Sequence, residues 1–502
     1  MKNIHIITAC LVLILGVATT SCDGFLDTMP DQRAELNTTK KVKDLLVSAY
    51  PTLFPMMLYE MRTDNVGNNG ETYSEPSNTM TRSYRFEDPE DDGWDTQEKV
   101  WQACYGAIAA ANQALEAIEE LGTPDDCLPY KGEALLCRAY GHFILANTFC
   151  MPYDAESAGT NLGIPYIEAP ETEIGTVYDR GTLQEVYEKI DRDIEDALPY
   201  IKDEAYAVPV YHFNRRAAYA FAARFNLFYG NAPKAAEYAT EALGDAPASS
   251  LRDLNGYSEY TKPDEWTVAY LNSDQSCNIM LVAQRTLWGR SYSSAYRYAH
   301  NRTIATNETF WSQGPWGRVL SVFSSVFGND QCVRVSKLEE MFEITDQTAQ
   351  TGQPHVTAFA FTTDETLITR AEAYVLMKEY EKAAADLSDW YVSKGSTARC
   401  SADEISRYYA TASEKTVSKP LNPRFVTLEA GMQTNMIHAV LHARRIETIH
   451  EGKRWLDIRR YGIQVTHELV NEDPVVLEPF DKRVAIQLPD AVTVAGLEKN
   501  PR

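Results

Sequence analysis

Three stretches of the chain combine aromatic side chains with amides and guanidinium groups. They are "RTDNVGNNGETYSEPSN" (62–78), "LWGRSYSSAYRYAHNRT" (287–303) and "NETFWSQGPWG" (307–317). Flat aromatic surfaces pack against the C–H faces of pyranose rings, and amides or guanidinium groups hydrogen-bond sugar hydroxyls. The predicted ligand-binding residues are Asn68, Tyr73, Trp288, Arg290, Tyr292, Tyr296, Asn301, Trp311 and Trp316. The alternative for each aromatic residue is a place in the hydrophobic core.

The sequence contains no recognisable catalytic motif. A sugar hydrolase needs two carboxyl groups across the scissile bond, but among 71 acidic residues candidate pairs are too numerous to be informative. His450–Glu451 lacks the second histidine of HExxH, and neither GxSxG nor a phosphate-binding glycine loop occurs. We therefore expect a binding protein rather than an enzyme, with no catalytic residue and no cofactor.

The densest acidic run, "FEDPEDDGWD" (86–95), begins like a calcium-binding loop. Asp88, Glu90 and Asp92 have suitable spacing, but Lys99 stands where an EF-hand needs its bidentate glutamate. A solvated acidic loop is the favoured interpretation and a calcium site the alternative. No metal site is predicted.

Near the C-terminus, "HARRIETIHEGKRWLDIRRYG" (442–462) concentrates basic residues in an otherwise acidic chain. In a helix, opposite charges three residues apart would pair along one face. These pairs are Arg444–Glu447, Glu451–Arg454, Arg454–Asp457 and Asp457–Arg460. Gly452 is expected to break the helix and Gly462 to end it. We predict a packing role, with Trp455 and Ile458 facing the core; an anion site and catalysis are the alternatives.

Composition narrows the possible partners. The chain has 502 residues, 44% of them hydrophobic, and a formal charge of -24. This length allows a large core in one or two domains. A strongly acidic surface repels nucleic acids and anionic lipid head groups, so neither is expected as a partner.

The N-terminus has the layout of a lipoprotein signal peptide over residues 1–21. Lys2 precedes an apolar run that is too short to span a bilayer, and "TTSC" ends it at Cys22. We expect Cys22 to be acylated after cleavage; an ordinary signal peptide is the alternative. Thr19 departs from the leucine usual at that position. Seven further cysteines at irregular spacing do not predict a disulfide framework.

Helical periodicity predicts the scaffold that must position these residues. Helices are predicted at 98–121, 130–149 and 182–201, with two helical pairs at 213–243 and 367–392. "ARFNLFYGNAPKAA" (223–236) aligns with "AEAYVLMKEYEKAA" (371–384), with the same spacing from the first alanine to Lys-Ala-Ala. Small residues there allow the close helix approach of tetratricopeptide-like hairpins. The predicted fold class is mostly α, with divergent helical hairpins as the scaffold.

Residues 245–360 interrupt this pattern. Helical periodicity fades, and four of the eight tryptophans lie here. A buried strand is predicted at 278–285, whereas 318–327 fits either a strand or a helix. A long irregular insertion in a helical scaffold is more often functional than idle.

Five sequence blocks stand in the order found in the SusD/RagB family, outer-membrane nutrient-binding lipoproteins of Bacteroidetes. They are "SCDGFLDTMP", "VWQACYGAIAAANQAL", "YKGEALLCRAYGHFIL", "LITRAEAYVLM" and "RRIETIHEGKRWLDIRRYG". The chain resembles this family over nearly its whole mature length. The stretch 245–360 matches least, and the ending "AIQLPDAVTVAGLEKNPR" follows the family only loosely.

The resemblance implies one SusD-like domain over 22–502. Its helical-hairpin scaffold would lie mainly in 98–244 and 364–462, with the aromatic-rich, irregular insertion 245–360 as the ligand-binding region. It further implies a lipid-anchored protein, exposed at the surface of the outer membrane. Such a protein captures oligosaccharides, or less often peptides, and delivers them to a SusC-like TonB-dependent transporter without cleaving them.

Two other classes of protein stay open at this point. An envelope scaffold would bind protein or peptide partners through its helical repeats, but it leaves the aromatic residues of the insertion unexplained. A secreted glycan-degrading enzyme would release new reducing ends from a polysaccharide.

Overall fold

The computed structural model describes residues 36–90, 93–171, 176–317, 319–320, 322–323, 326–412 and 417–502. The predicted signal peptide (1–21) and the predicted acylation site Cys22 lie outside the described residues. In the part of the chain that the structure describes, no helix is both long and apolar enough to span a bilayer.

Helices make up most of the regular structure. In chain order they are α1 (Thr39–Leu46), α2 (Met56–Glu60), α3 (Asn78–Tyr84), α4 (Gln97–Glu120), α5 (Leu128–Phe149), α6 (Leu183–Ala197), α7 (Arg215–Phe228), α8 (Ala232–Leu243), α9 (Pro263–Leu271), α10 (Trp288–Ser291), α11 (Arg302–Asn307), α12 (Thr363–Leu376), α13 (Tyr380–Ser393), α14 (Ala402–Thr411), α15 (Met432–Glu447), α16 (Arg454–Tyr461) and α17 (Asp490–Val494).

The long helices begin and end at local sequence signals. Helices α4 and α5 lie within two residues of their predicted bounds. The Thr182 hydroxyl accepts a hydrogen bond from the Glu185 N–H, and the Glu185 carboxylate accepts one from the Thr182 N–H, which caps α6. Helix α6 ends at Ala197, earlier than predicted, because Pro199 lacks the N–H that would continue an α-helix.

The two predicted hairpins are α7–α8 and α12–α13, and the mostly α fold class is confirmed. The second helix of each hairpin buries its alanines: Ala235 and Ala236 in α8, Ala383 and Ala384 in α13. Because alanine is small, the paired helices can approach closely, as the aligned sequences predict.

The insertion 245–360 is more regular than predicted. The strands of the described residues are β1 (Gly67–Asn68), β2 (Asn278–Gln284), β3 (Tyr298–Ala299), β4 (Phe327–Asn329), β5 (Cys332–Arg334), β6 (Met341–Asp346), β7 (Thr351–Thr362), β8 (Val465–His467) and β9 (Val475–Leu477). The predicted strand at 278–285 is confirmed as β2, which pairs antiparallel with β7 in a three-stranded sheet ordered β2-β7-β6. Of 318–327, residues 318, 321, 324 and 325 lie outside the described residues, and Phe327 begins β4.

The insertion and the helical scaffold share one core. Buried residues of the insertion, such as Trp266 and Met280, belong to the same connected hydrophobic cluster as Ala371 and Trp455 of the scaffold. This continuity supports our proposal that 22–502 form one domain. The seven cysteines that the structure describes are free thiols.

The basic stretch 442–462 divides into α15 and α16, as its glycines predict. Gly452 adopts φ +75° between the two helices, and Gly462 follows α16 in the left-handed conformation. Trp455 and Ile458 are buried, so the predicted contact of this stretch with the core is confirmed.

The predicted local ion pairs of this stretch are wrong. Glu447 pairs with Lys394, the residue directly after α13, and Glu451 pairs with Lys337. Arg444 and Arg460 instead share Glu372 of α12 at 2.6 and 2.9 Å, while Arg444 also reaches Asp457 at 2.9 Å. Arg454 pairs with Asp64. Spacing along one helix is a weak guide here because the side chains are buried between elements, where distant carboxylates provide closer partners. These contacts support the packing role.

Candidate ligand-binding face

The predicted ligand-binding residues divide between the surface and the interior. Trp288, Tyr292 and Trp316 are buried, Arg290 is exposed, and the other five are half-buried. These five are Asn68, Tyr73, Tyr296, Asn301 and Trp311. Their roles in binding stay predictions.

The three buried aromatic residues have packing partners inside the protein. The Trp288 indole N–H donates to the His450 carbonyl at 2.7 Å. The Tyr292 hydroxyl donates to Glu339 and accepts from the Leu338 N–H, both at 3.3 Å. The Trp316 ring lies 5.1 Å from Tyr391. As placed, these side chains present no open face to a ligand.

The side chains of Trp311 and Asn301 make contacts with neighbouring residues of the protein. The Trp311 indole N–H donates to the Phe323 carbonyl at 2.9 Å, and the Arg302 guanidinium lies 5.2 Å from the centre of its ring. The Asn301 side chain caps α11 by accepting from the Ile304 N–H at 3.2 Å. These contacts leave less of each side chain available to a ligand than the sequence suggested.

The loop after β1 and the segment around β3 come together at the surface. Strands β1 and β3 pair antiparallel, with Asn68 opposite Tyr298. The Asn69 amide donates to the Tyr296 carbonyl at 2.8 Å, and the Arg297 N–H donates to the Ser74 carbonyl at 2.9 Å. The structure thus brings Tyr73 and Tyr296, predicted from stretches more than 200 residues apart, into one neighbourhood.

An exposed tryptophan, Trp94, adjoins the same segment of the insertion. Its indole is 40% exposed. The neighbouring Asp95 carboxylate accepts hydrogen bonds from the Thr286 hydroxyl and, at 3.0 Å, from the Leu287 N–H. The Trp94 loop is therefore anchored at the beginning of α10, which carries Arg290.

The anchoring carboxylate is itself buried. Burial raises the pKa of Asp95 to about 6, although its hydrogen bonds to Thr286 and Leu287 oppose the rise. At neutral pH the ionised carboxylate accepts both bonds and fixes the loop that presents Trp94.

We call four residues of these segments, Tyr73, Trp94, Arg290 and Tyr296, the binding strip; each of them is exposed or half-buried. Arg290 pairs with Glu340 at 2.6 Å, and Arg297 pairs with Glu75. Phe342, two residues beyond Glu340 on the edge strand β6, is 55% exposed. The aromatic faces of the strip can stack on sugar rings, and the Arg290 guanidinium can hydrogen-bond their hydroxyls.

Sequence reasoning missed Trp94 and Phe342. Trp94 lies in the run interpreted as a solvated acidic loop, and Phe342 in a stretch considered irregular. The available signal for Trp94 was an isolated tryptophan in a polar loop without the apolar periodicity that would bury it.

The acidic run 86–95 is tied to its own chain. Asp88 pairs with Arg502 at 2.7 Å and accepts the Gln487 N–H at 3.1 Å, and Glu90 pairs with Arg82 at 2.9 Å. Asp92, a candidate calcium ligand, lies outside the described residues. Among the residues that the structure describes, no group of three or more His, Cys, Asp or Glu side chains could hold a metal ion.

The scaffold of paired helices places this protein in the class of helical-repeat folds. A family described as "Starch-binding associating with outer membrane", SusD-like, matches residues 24–227. A SusD-like protein, P38, from Formosa agariphila is 27% identical over 285 residues, which cover 54% of this chain. The match spans about half the length of that relative, 50%.

Solved structures show the same fold. A SusD superfamily protein from Bacteroides thetaiotaomicron is 18% identical with a TM-score of 0.64, covering 93% of this chain and 100% of its own. A putative sugar-binding protein from Bacteroides vulgatus is 17% identical with a TM-score of 0.65, covering 93% of this chain and 99% of its own. Residues 24–227 are therefore similar to the SusD-like family, and solved SusD superfamily structures share the fold of this chain.

Proposed function

We propose that this protein is a lipid-anchored, surface-exposed glycan-binding protein of the outer membrane. It captures oligosaccharides and delivers them to a SusC-like TonB-dependent transporter. The observation that carries the proposal is the binding strip, with Trp94 open to solvent. It is supported by the similarity of residues 24–227 to a family described as starch-binding and associating with the outer membrane.

The strip suits a neutral or weakly charged glycan. Trp94 and Tyr296 offer ring surfaces for stacking, while Arg290 offers donors for hydroxyl groups. Arg290 of the strip is already paired with Glu340, and the neighbouring Arg297 is paired with Glu75, so neither is a free cation that would favour a strongly anionic ligand. Affinity then depends on ring stacking and on hydrogen bonds with correct geometry.

Binding without cleavage fits the carboxylates beside the strip. Glu340 is engaged by Arg290, and Glu75 by Arg297. A glycosidase needs one carboxyl group free to protonate the leaving oxygen and a second across the bond. The observed ion pairs hold these two carboxylates to the protein instead, and the Asp95 carboxylate beside Trp94 accepts hydrogen bonds from Thr286 and Leu287.

The proposal is tested by isothermal titration of the mature protein against a panel of polysaccharides and oligosaccharides. We expect saturable binding of one glycan class and no new reducing ends in the same samples. Cleavage would make the protein an enzyme. A panel without any binding, followed by saturable binding of peptides, would replace the glycan with a peptide cargo.

The lipid anchor gives a separate prediction. Cys22→Ala removes the thiol that would be acylated, so the protein is expected to lose its lipid and leave the membrane fraction. Labelling with a radioactive fatty acid and fractionation of cells measure both effects. Cys10→Ala, within the predicted signal peptide, is the matched control and should leave labelling unchanged. A lipidated Cys22→Ala protein would contradict the assignment.

A further inference from the structure

Arg290 and Glu340 form a two-point ion pair at the surface of the insertion. The Arg290 Nε–H donates to Glu340 Oε2 and an Nη2–H donates to Oε1, both at 2.6 Å. The Arg290 side chain is 56% exposed and that of Glu340 19%, so solvent reaches both groups. Arg290, which belongs to the binding strip, therefore presents its charge to a ligand already balanced by a carboxylate.

Contacts within the protein hold the two partners of this pair close together. Gly289 lets α10 approach the segment before β6, because a Cβ at this position would lie 2.9 Å from the Leu338 carbonyl oxygen and 3.0 Å from the Glu340 Cα. The Tyr292 hydroxyl accepts the Leu338 N–H and donates to Glu339, both at 3.3 Å. Because these contacts join α10 to the segment of Glu340, the pair is positioned before a ligand binds.

The pair retains donors and acceptors for hydroxyl groups. A guanidinium has five N–H groups, and the ion pair uses two of those of Arg290. Each Glu340 oxygen accepts one of these bonds and keeps a second lone pair. Two adjacent hydroxyl groups of a sugar can therefore bind together, one accepting from Arg290 and the other donating to Glu340.

Two other arginines of the insertion are also paired. Arg334 pairs with Glu339 at 3.2 Å, and Arg297 pairs with Glu75. Because their charges are balanced, these two arginines add no free positive charge that would attract a carboxylate or sulfate group.

Tyr296 lies near the pair. The hydrogen bonds with Glu340 raise the pKa of Arg290, and an electrostatic interaction with Tyr296 adds to the rise. An aromatic ring near a balanced pair of donors and acceptors matches the C–H face and the hydroxyl groups of a neutral sugar.

We propose that Glu340 is the specificity-determining residue of the binding strip. Its pair with Arg290 selects neutral sugars that carry adjacent hydroxyl groups and excludes sugars that carry a carboxylate or sulfate group. This inference rests on the proposed function, because it names the class of glycan that the strip binds. An anionic sugar would have to displace Glu340 from Arg290 or lie against the Glu340 carboxylate, and this repulsive element provides the discrimination.

The test compares neutral oligosaccharides with charged counterparts of the same backbone. Maltoheptaose, cellohexaose and mannohexaose are titrated into the mature protein, together with derivatives whose C6 alcohols are oxidised to carboxylates and whose adjacent hydroxyl groups are kept. We expect the wild type to bind at least one neutral oligosaccharide, and to bind its oxidised counterpart about tenfold more weakly or worse. Glu340→Gln leaves the Arg290 charge unbalanced and should bind the oxidised counterpart about tenfold more tightly than the wild type does.

Two further variants assign this effect to the pair. Glu343→Gln removes an equal charge from an exposed position on β6 and should leave the preference for the neutral sugar unchanged. When Arg290→Met is combined with Glu340→Gln, the gain in binding of the oxidised sugar should disappear, since no guanidinium remains to receive the carboxylate. Thermal melting checks that the variants fold, and Glu340→Ser repeats the test if Glu340→Gln does not.

The inference is overturned if the wild type binds both forms equally or if Glu340→Gln keeps the wild-type preference. It is also overturned if Glu343→Gln changes the preference as much, or if the gain survives the loss of Arg290. If none of the three neutral oligosaccharides binds while another glycan does, the assigned sugar class is wrong and glycan capture stands. If no glycan of any kind binds, the proposed function fails together with the inference.

Discussion

Trp94→Ala is expected to weaken binding of the glycan identified by titration about tenfold, or ~1.4 kcal/mol. Trp94 is 40% exposed and makes a flat surface in the binding strip, so its loss removes stacking area that only the bound ligand covers. Because the side chain is not part of the core, the free energy of unfolding should change little. Isothermal titration of the variant and urea unfolding of the free protein measure the two effects.

Two variants make this result specific. Trp94→Phe keeps an aromatic face and should retain most of the affinity. Tyr211→Ala removes a similarly exposed aromatic residue, 48% exposed, from the turn before α7 and should have no effect. If Trp94→Ala bound the glycan as tightly as the wild type, the glycan site would have to lie elsewhere on the surface.

Glu372→Gln is expected to destabilise the fold by about 3–5 kcal/mol, because removing one member of a buried ion network leaves the others uncompensated. Glu372 is fully buried between Arg444 and Arg460 and also accepts the Tyr461 hydroxyl at 2.6 Å. Glutamine keeps the volume but loses the charge that faces two guanidinium groups. Urea unfolding at pH 7 measures the loss. Glu241→Gln, which removes an exposed partner of Arg215, is the matched control and should leave the unfolding midpoint unchanged.

The loss in the free energy of unfolding caused by Glu372→Gln should depend on pH. Burial alone would raise the pKa of Glu372, but Arg444 and Arg460 outweigh it and lower the pKa from 4.5 to about 2. A lowered carboxyl pKa adds stability above pH 4.5, and this contribution is lost as pH falls towards 2. The difference between wild type and variant should therefore shrink between pH 5 and pH 3. A difference that stays constant across this range would assign the effect to packing instead of charge.

The position of the candidate site could be predicted only in part. The stretches 62–78 and 287–303 do meet, because β1 pairs with β3. Which aromatic residues remain open could not be predicted, since tryptophan in a loop is equally compatible with a core that other segments supply. Trp316 is buried because Trp390 and Tyr391 of α13 lie against it, and Trp288 because the His450 carbonyl accepts its N–H.

The sequence by itself determined the helices, the hairpins and the break in 442–462. Helical periodicity, capping residues and glycines act within a few residues, so they can be recognised without knowledge of distant contacts. The tertiary structure alone decided the partners of the buried charges and the choice of exposed aromatic residues. Arg444 forms an ion pair with Glu372 rather than with Glu447, and Trp94 is exposed to solvent. Whether a side chain is buried depends on segments that are hundreds of residues apart in the sequence. No local sequence pattern shows which of these segments will pack against it.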